Sequence, residues 1–247
     1  GTQKAQQELL ELYPEIQVDR MDTDTVSAVN THEKILDHFK NEKIPVLIGT
    51  QMVAKGLNLP DVTLVGVLDA DLGLYSGSYR AAETTFNMLT QVVGRAGRGD
   101  TPGQAIIQTM VPEHPVMAMA AKQDYDGFYE LESGLRRIQK LPPFGDLVTI
   151  TFTGQDEARL LHGAAKLRDS LKTAMTDPAY AQEEFQVLGP APCAVPKINY
   201  NFRYRLTLRC SLTGAIRNLL GHLLRQFSKD GANRGVSAFV DINGYEE

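Results

Sequence analysis

The fold is decided by IPVLIGT, residues 44–50, an unbroken apolar run that ends in Gly49 and Thr50. Such a run is typical of a strand buried in a parallel sheet. Two similar runs follow, VTLVGVLDAD at 62–71 and GQAIIQTMV at 103–111. Amphipathic helical patterns flank and separate these runs, at 4–13, 32–43 and 81–98. Since strands and helices alternate, the sequence predicts a doubly wound α/β domain with a mostly parallel sheet.

The pattern changes near Pro142 and Pro143, where we place the boundary between a domain at 1–142 and one at 143–247. Apolar and polar residues alternate in LVTITFTG and YRLTLRCSL, as in half-exposed strands. Two long amphipathic helices, one strand followed by a Pro-rich loop and a final strand complete the second domain. Its predicted class is α+β with antiparallel strands.

The charge of the chain is unevenly distributed. The net charge is −5, which argues against nucleic-acid binding through bulk charge alone. Residues 186–247, however, carry eight Lys or Arg against four Asp or Glu, a local net charge of +4 that leaves −9 for the rest. The C-terminal quarter is therefore the basic part of the protein.

The two cysteines, Cys193 and Cys210, form neither a C-x-x-C pair nor a disulfide framework. They indicate a reducing, cytoplasmic compartment and no zinc site in this chain. No apolar run reaches membrane-spanning length, and no signal peptide is evident, so we expect no membrane association. The chain opens on GTQKAQQELL without Met, which fits a piece of a larger protein, although processing could also remove a Met.

A first chemical segment, LIGTQMVAKGLNLPDV, follows the run at 44–50. Thr50 and Gln51 lie at the carboxyl end of the predicted strand, where open α/β sheets bind ligands. A hydroxyl and backbone N–H groups there suit a phosphate oxygen, and Gly56, after Lys55, lets the backbone approach a ligand closely. The alternative is an ordinary strand–loop–helix connection with a Gly turn.

The second segment is QVVGRAGRGD, residues 91–100, in which Arg95 and Arg98 are three residues apart. If the helix continues, both guanidinium groups share a face surrounded only by Gly and Ala. They could then contact several oxygens of a polyphosphate and stabilise charge in phosphoryl transfer. The alternative is a solvated helix end whose arginines complement the dipole.

The third segment, PKINYNFRYRLTLR at 196–209, interleaves cations with aromatic residues. Lys197, Arg203 and Arg205 could contact DNA phosphates while aromatic rings stack on bases. A strand period places Arg203, Arg205, Thr207 and Arg209 on one face, with Phe202, Tyr204, Leu206 and Leu208 on the other. The alternative is therefore a half-buried strand with a solvated basic face.

Taken together, TQMVAKGLNLPDVTLVGVLDADLGL and YRAAETTFNMLTQVVGRAGRG resemble motifs V and VI of superfamily 2 helicases. More narrowly, with PPFGDLVTITFTGQDEA and VLGPAPCAVPKINYNFRYRLTL, the chain resembles the carboxyl half of the PriA family of bacterial primosomal replication-restart helicases. The resemblance implies a RecA-like helicase lobe 2 followed by a smaller DNA- and partner-binding domain.

The resemblance also implies roles for single residues. Gln91, Arg95 and Arg98 match the motif VI residues that face ATP, and Thr50 matches a position that contacts a nucleic-acid phosphate. Gly56 matches a turn near the nucleotide, with Lys55 beside it. Asn58 stands where relatives often carry an Asp toward the ribose, and this departure weakens the ribose assignment.

Several parts of a complete motor are missing from the sequence. It contains no G-x-x-x-x-G-K-[ST] loop and no D-E-x-H segment. The family's zinc-binding cysteines are also absent. ATP and Mg²⁺ would therefore bind with a lobe outside this chain, and we expect no ATP hydrolysis by the chain alone.

The resemblance implies an ATP-dependent 3′-to-5′ DNA helicase or translocase that restarts stalled replication forks. Its implied partners are forked and single-stranded DNA, the single-stranded DNA-binding protein and other primosome proteins. The alternative is an adaptor that binds nucleic acid or protein and keeps the fold without motor chemistry. The phosphate-facing arginines favour the motor, because an adaptor has no physical need for them.

Overall fold

A computed structural model describes residues 1–22, 31–50, 61–94, 103–180 and 182–244. The chain divides into two compact units. The first comprises Gly1–Ser76 and Ala81–Phe128, and the second comprises Gly77–Arg80 and Tyr129–Glu247. The domain boundary expected near Pro142 and Pro143 remains a prediction.

The first unit alternates strands and helices, as the sequence predicts. In chain order its elements are α1 (Thr2–Leu12), β1 (Val18–Met21), α2 (Thr31–Asn41), β2 (Val46–Gly49), β3 (Leu64–Val67), α3 (Asp71–Leu74), α4 (Ala81–Val93), β4 (Gln104–Ile107), α5 (Pro115–Lys122) and the start of α6 (Tyr125–Ile138). Pro14 follows α1 closely, which fits its inability to continue a helix. His114 caps α5 by accepting a hydrogen bond from the N–H of Val116, 3.3 Å away.

Strand pairing in the first unit is parallel. β1 pairs with β2, and β3 pairs with β4. Among the described residues these are two separate pairs, whereas the sequence predicts one mostly parallel sheet.

The prediction that these strands are buried is wrong for β3 and β4. Exposed and half-buried residues alternate along both strands, and Leu64 and Ile106 are 57% and 52% exposed. The reason is that α4 covers the face that carries Val67 and Ile107, so the opposite side chains meet solvent. The residues of β2 are half-buried to exposed, so that strand is not fully buried either.

The second unit contains one four-stranded antiparallel sheet, as predicted. Its elements are the remainder of α6, β5 (Asp146–Gly154), α7 (Glu157–Met175), β6 (Phe185–Ile198), β7 (Asn201–Cys210), α8 (Gly214–Lys229) and β8 (Val236–Ile242). The spatial order of the strands is β6-β7-β5-β8. β5 is central and pairs with β7 from Asp146↔Cys210 to Gly154↔Phe202.

The core of the second unit lies on one face of this sheet. Val148, Ile150 and Phe152 of β5 are fully buried and share a face with Leu206 and Leu208 of β7. This face packs against α7 and α8, whose buried side chains include Leu160, Leu167, Leu171, Ile216, Leu220 and Phe227. Leu206 and Leu208 are thus inside, as the alternation of β7 predicts.

β6 differs from the sequence-based expectation of a strand followed by a loop. The strand continues through the Pro-rich stretch to Ile198, with register shifts between Leu188 and Ala191 and between Pro192 and Lys197. Proline is tolerated because β6 is an edge strand, where a missing N–H need not break a ladder.

A short segment, Gly77–Arg80, belongs to the second unit although its neighbours in the chain belong to the first. The hydroxyl of Tyr79 donates to the carbonyl of Asn243 at 3.3 Å. The guanidinium of Arg136 lies 5.4 Å from the centroid of the Tyr79 ring. Asn243 in turn bonds to Leu147 and Asp146, so this segment is held by residues that also fix the start of β5.

Among the described residues, the helices are too short or too polar to cross a bilayer.

Leu160 on α7 offers a test of the core. Its side chain is fully buried, so Leu160→Ala should lower the free energy of unfolding by about 2–5 kcal/mol through lost burial and a cavity. Leu135→Ala is the matched control, because Leu135 on α6 is 44% exposed and should cost much less. Urea unfolding followed by circular dichroism measures both, and equal losses would contradict the assignment of the core.

Candidate nucleic-acid interface

Two of the residues expected to contact nucleotide or DNA in the first unit lie within the described residues, Thr50 and Gln91. The others lie outside the described residues: Gln51, Lys55, Gly56, Asn58, Arg95 and Arg98. Thr50 directly follows β2 and is exposed, which leaves its hydroxyl accessible at the carboxyl end of a parallel strand.

Gln91 is exposed because the opposite face of α4 is anchored in the core. That face buries Ala81, Thr85, Phe86, Leu89 and Val92. The ring of Phe86 stacks on that of Phe128, with centroids 4.1 Å apart and planes 5° from parallel. The helix that precedes the two arginines is therefore held firmly, and the side chain of Gln91 is directed to solvent.

Gly94, which follows α4, occupies a tight place. A Cβ there would lie 3.2 Å from the carbonyl oxygen of Thr90 and 3.3 Å from Nε2 of Gln123. A side chain at this position would therefore require the amide of Gln123 to shift by a few tenths of an ångström.

Asp71 links the carboxyl ends of β3 and β4. Its carboxylate accepts hydrogen bonds from Oγ1 of Thr109 at 2.7 Å and from the N–H of Met110 at 2.8 Å. The bond from the N–H of Met110 is the largest cause that lowers the pKa of Asp71 below its ordinary value, and the bond from Thr109 adds to it. Asp71 and Thr109 are far apart in sequence, and only the parallel pairing of β3 and β4 could have suggested their contact.

The hydrogen bonds that Asp71 accepts should make part of the free energy of unfolding depend on pH. Because the pKa of Asp71 is lower in the folded state, its contribution is present above the unfolded pKa and is lost as the pH falls through the folded value. Asp71→Asn should lower the unfolding midpoint at neutral pH, since the amide offers one uncharged acceptor oxygen in place of the two oxygens of a charged carboxylate. The difference from the parent should shrink in acid, where Asp71 is protonated.

Thermal unfolding from neutral pH to below 3.8, the ordinary Asp pKa, measures this effect. Asp61→Asn is the control, because Asp61 is exposed and lies just before β3. A difference between Asp71→Asn and the parent that stays constant over the whole range would contradict the role of the ionised carboxylate.

In the second unit, the sheet face opposite α7 and α8 is basic. Arg203, Arg205 and Arg209 alternate with buried residues along β7, so they lie on this face together with Thr207. On β5, Thr153 and Thr151 lie opposite Arg203 and Arg205, Thr149 lies opposite Thr207, and the buried Leu147 lies opposite Arg209. Guanidinium groups and hydroxyls on one half-exposed sheet form a surface suited to phosphate oxygens.

The aromatic residues near this face divide into two groups. Phe202 and Tyr204 pack against the core, and the Tyr204 hydroxyl donates to Glu157 at 2.6 Å, which raises the pKa of Tyr204. Their rings therefore serve packing rather than base stacking. Tyr200, in the turn between β6 and β7, is 83% exposed with a φ of 65°. Its ring is accessible for stacking.

Lys197 lies at the same end of the sheet. Its Nζ is 4.3 Å from the centroid of the Phe202 ring, a cation–π contact, and its side chain is exposed. The register pairs Lys197 with Phe202, so the lysine is placed by the last part of the β6–β7 ladder. Because directly paired residues share a face of the sheet, Lys197 lies on the side of Phe202, opposite to Arg203 and Arg205, although all three belong to one hairpin.

Within the described residues, no cluster of His, Cys, Asp and Glu could hold a metal ion. Cys210 is buried in the core, and burial raises its pKa to about 11. Such a thiol is inert at neutral pH.

Comparison with known proteins finds two family models, one for each end of the chain. Residues 1–100 match the family described as helicase conserved C-terminal domain, and residues 137–245 match the primosomal protein N C-terminal domain. The class of protein is thus a helicase C-terminal lobe joined to a primosomal C-terminal domain. The helicase C-terminal domain implies a RecA-like lobe for the first part.

Several replication restart proteins are similar to the chain. The chain is 38% identical to the replication restart protein PriA of Bacillus subtilis over 245 residues, 99% of this chain and 30% of that protein. It is 36% identical to PriA of Chlamydia pneumoniae over 91% of this chain and 29% of that protein, and 36% identical to PriA of Treponema pallidum over 98% and 36%. The chain belongs to the PriA family and spans about a third of the length of these relatives.

Proposed function

We propose that this chain is the carboxyl part of an ATP-dependent DNA helicase or translocase that acts in replication restart. The observation that carries the proposal is the succession of the two family domains along one chain, with relatives that are named replication restart proteins. The proposed direction of movement is 3′ to 5′, and the proposed substrates are forked and single-stranded DNA.

The proposed role of the first unit is to supply charge to ATP bound mainly by another lobe. Gln91 is exposed at the end of the anchored helix α4, four residues before Arg95. A guanidinium directed at the γ-phosphate stabilises charge that develops in phosphoryl transfer. The sequence has no phosphate loop and no Mg²⁺-binding carboxylate motif, so the chain should not hydrolyse ATP by itself.

The proposed role of the second unit is to bind DNA through its basic face. Arg203 and Arg205 lie on that face, the exposed Tyr200 ring stands at the turn of the same hairpin, and Lys197 lies on the other side of the hairpin beside Phe202. Phosphate contacts would supply affinity, and the ring would stack on an unpaired base. Proposed protein partners are the single-stranded DNA-binding protein and other primosome proteins.

Replacement of Arg98 tests the proposed role of this chain in ATP hydrolysis. In a protein that joins this chain to a lobe with a phosphate loop, Arg98→Ala should lower the DNA-stimulated ATPase rate by roughly 10³- to 10⁵-fold. DNA affinity should be retained, because the guanidinium acts on ATP. The isolated chain should show no ATPase activity above background.

Two results would contradict this proposal. Appreciable DNA-stimulated hydrolysis by the isolated chain would exclude the need for a second lobe. An Arg98→Ala protein that keeps its ATPase activity would favour the adaptor.

Replacement of Arg203 tests whether the basic face of the sheet binds DNA. Arg203→Gln should weaken binding to a labelled fork and reduce the slope of log K against log salt by about 0.9, the effect of one lost phosphate contact. Arg225→Gln is the matched control, because Arg225 is exposed on α8, which covers the other face of the sheet. Fluorescence anisotropy across a salt series measures both, and equal effects would mean that charge alone, not this face, binds DNA.

A further inference from the structure

The basic face of the sheet in the second unit carries an exposed aromatic ring on β8. Phe239 is 60% exposed. Its direct partner on β5 is Thr151, and the partner of Thr151 on β7 is Arg205. Because directly paired residues share a face of the sheet, Phe239 lies on the same side as Arg205, in one row that crosses three strands.

The neighbours of Phe239 along β8 agree with this placement. Val236 and Ala238 pack against the core that α7 and α8 cover. Side chains alternate along a strand, so Ser237, Phe239 and Asp241 lie on the other face, and all three are exposed. The ring of Phe239 is therefore an apolar surface that stands among polar side chains and meets solvent.

The two ends of the basic face differ in how much of it a ligand can reach. At one end Leu147 is buried opposite Arg209, and Nε of Arg209 is buried as well. At the other end two rows of side chains cross the sheet, and every member is half-buried or exposed. These rows are Arg203–Thr153–Ser237 and Arg205–Thr151–Phe239. The accessible part of the face is therefore the part that holds the ring.

Chemical groups are ordered across these two rows. The cations stand on β7, hydroxyl groups on β5 and the aromatic ring on β8. Neighbouring strands are about 4.8 Å apart, so the backbones of Arg205 and Phe239 are separated by two spacings, roughly 10 Å. A long arginine side chain spans part of this distance, which leaves room for a nucleotide with its phosphate at the guanidinium and its base over Phe239.

The negative charge of Asp241 gives this order a direction. Asp241 is exposed on the same face, two residues beyond Phe239 and opposite Thr149. A carboxylate there repels a phosphate, whereas Arg203 and Arg205 attract one. A bound strand should therefore keep its phosphates on the β7 side and turn its bases toward β8.

We propose that Phe239 stacks on an unpaired base of single-stranded DNA whose phosphates are bound by Arg203 and Arg205. An aromatic ring attracts the face of every base and has no hydrogen-bonding group that reads base identity, so binding should tolerate any sequence. In a duplex the faces of the bases are already stacked on one another, and the ring has no access to them. The inference rests on the proposed DNA-binding role of the basic face and adds to it a preference for unpaired strands.

The surroundings of Phe239 favour nucleic acid over an apolar segment of a protein. Aromatic anchors at protein interfaces lie in well-packed cores from which charged residues are depleted. On the basic face the neighbours of Phe239 are Thr151, Ser237 and Asp241, with Arg205 beyond Thr151. Hydroxyl groups and guanidinium groups of this kind match the sugar and phosphate oxygens of a nucleotide.

Fluorescence anisotropy of the 247-residue chain with a labelled oligothymidylate and with a labelled blunt duplex tests the proposal. Phe239→Ala should weaken binding to the single strand roughly 5- to 150-fold, the effect of one lost stacked base. Binding to the duplex should stay as in the parent. The slope of log K against log salt should also be unchanged, because no phosphate contact is lost.

Val240→Ala is the matched control. Val240 is on the same strand and is 41% exposed, but its side chain lies on the opposite face, where its partner on β5 is Ile150. This variant should bind both DNA molecules like the parent. Equal losses in Phe239→Ala and Val240→Ala would mean that a change anywhere on β8 disturbs binding, and would overturn the assignment of the ring.

Two further variants separate stacking from apolar contact. Phe239→Leu keeps an exposed apolar side chain without the ring and should lose most of the affinity for the single strand. Phe239→Trp keeps an aromatic ring and should bind like the parent. Because the sequence contains no tryptophan, the fluorescence of Phe239→Trp reports this position alone. Oligothymidylate should quench it, and the duplex should not.

The results that would overturn the inference differ from those that would overturn the proposed function. A parent that binds DNA with a clear salt dependence, while Phe239→Ala or Phe239→Leu keeps full affinity for the single strand, would exclude stacking and leave the basic face as the binding surface. Unquenched fluorescence of Phe239→Trp in the bound state would exclude it too. A parent without any salt-dependent binding would contradict the proposed role of the basic face, and this inference with it.

Discussion

The second unit depends on the burial of one face of its sheet. Val148, Ile150 and Phe152 reach full burial only because α7 and α8 lie across them, and both helices cover the same face. A strand has two faces, so most of the alternate residues of β5 and β7 remain partly solvated, with the buried Leu147 as an exception. Threonine and arginine at those positions satisfy this constraint, and the basic surface is its direct consequence.

Because helices cover only one face of the sheet, its two edge strands, β6 and β8, remain accessible. A sheet with a single layer of helices cannot cover both of its outer strands, so each edge needs its own solution. β6 uses proline and irregular register, which leave it a poor template for pairing. β8 is regular, apolar and solvent-exposed, and it has neither a proline nor a register shift that would limit pairing.

Much of this architecture could be predicted from sequence, because period and composition reflect burial directly. The alternation of β7 correctly separates Leu206 and Leu208 from Arg203 and Arg205, and the long amphipathic patterns predict α7 and α8. The burial of β3 and β4 was predicted wrongly. A continuous apolar run shows that a strand is apolar on both faces but not that a helix covers both.

Long-range contacts could not be predicted from the sequence, for a different reason. The bond between Asp71 and Thr109 and the bond between Tyr79 and Asn243 join distant parts of the chain. Neither pair has a spacing or composition that marks it, and each exists because strand pairing brings two chain segments to the same place. For the candidate site, sequence alone therefore identified residue types and faces, while packing decided which aromatic rings remain accessible.

The proposed motor chemistry places a specific demand on α4. Arginines that meet a γ-phosphate act by fixed position, since a mobile cation would lose most of its advantage to reorganisation. The buried face of α4 and the stacked rings of Phe86 and Phe128 supply that rigidity up to Val93. The anchored face of α4 thus fixes the chain up to the residues that precede the two arginines, which is the condition that the proposed contact with a phosphate requires.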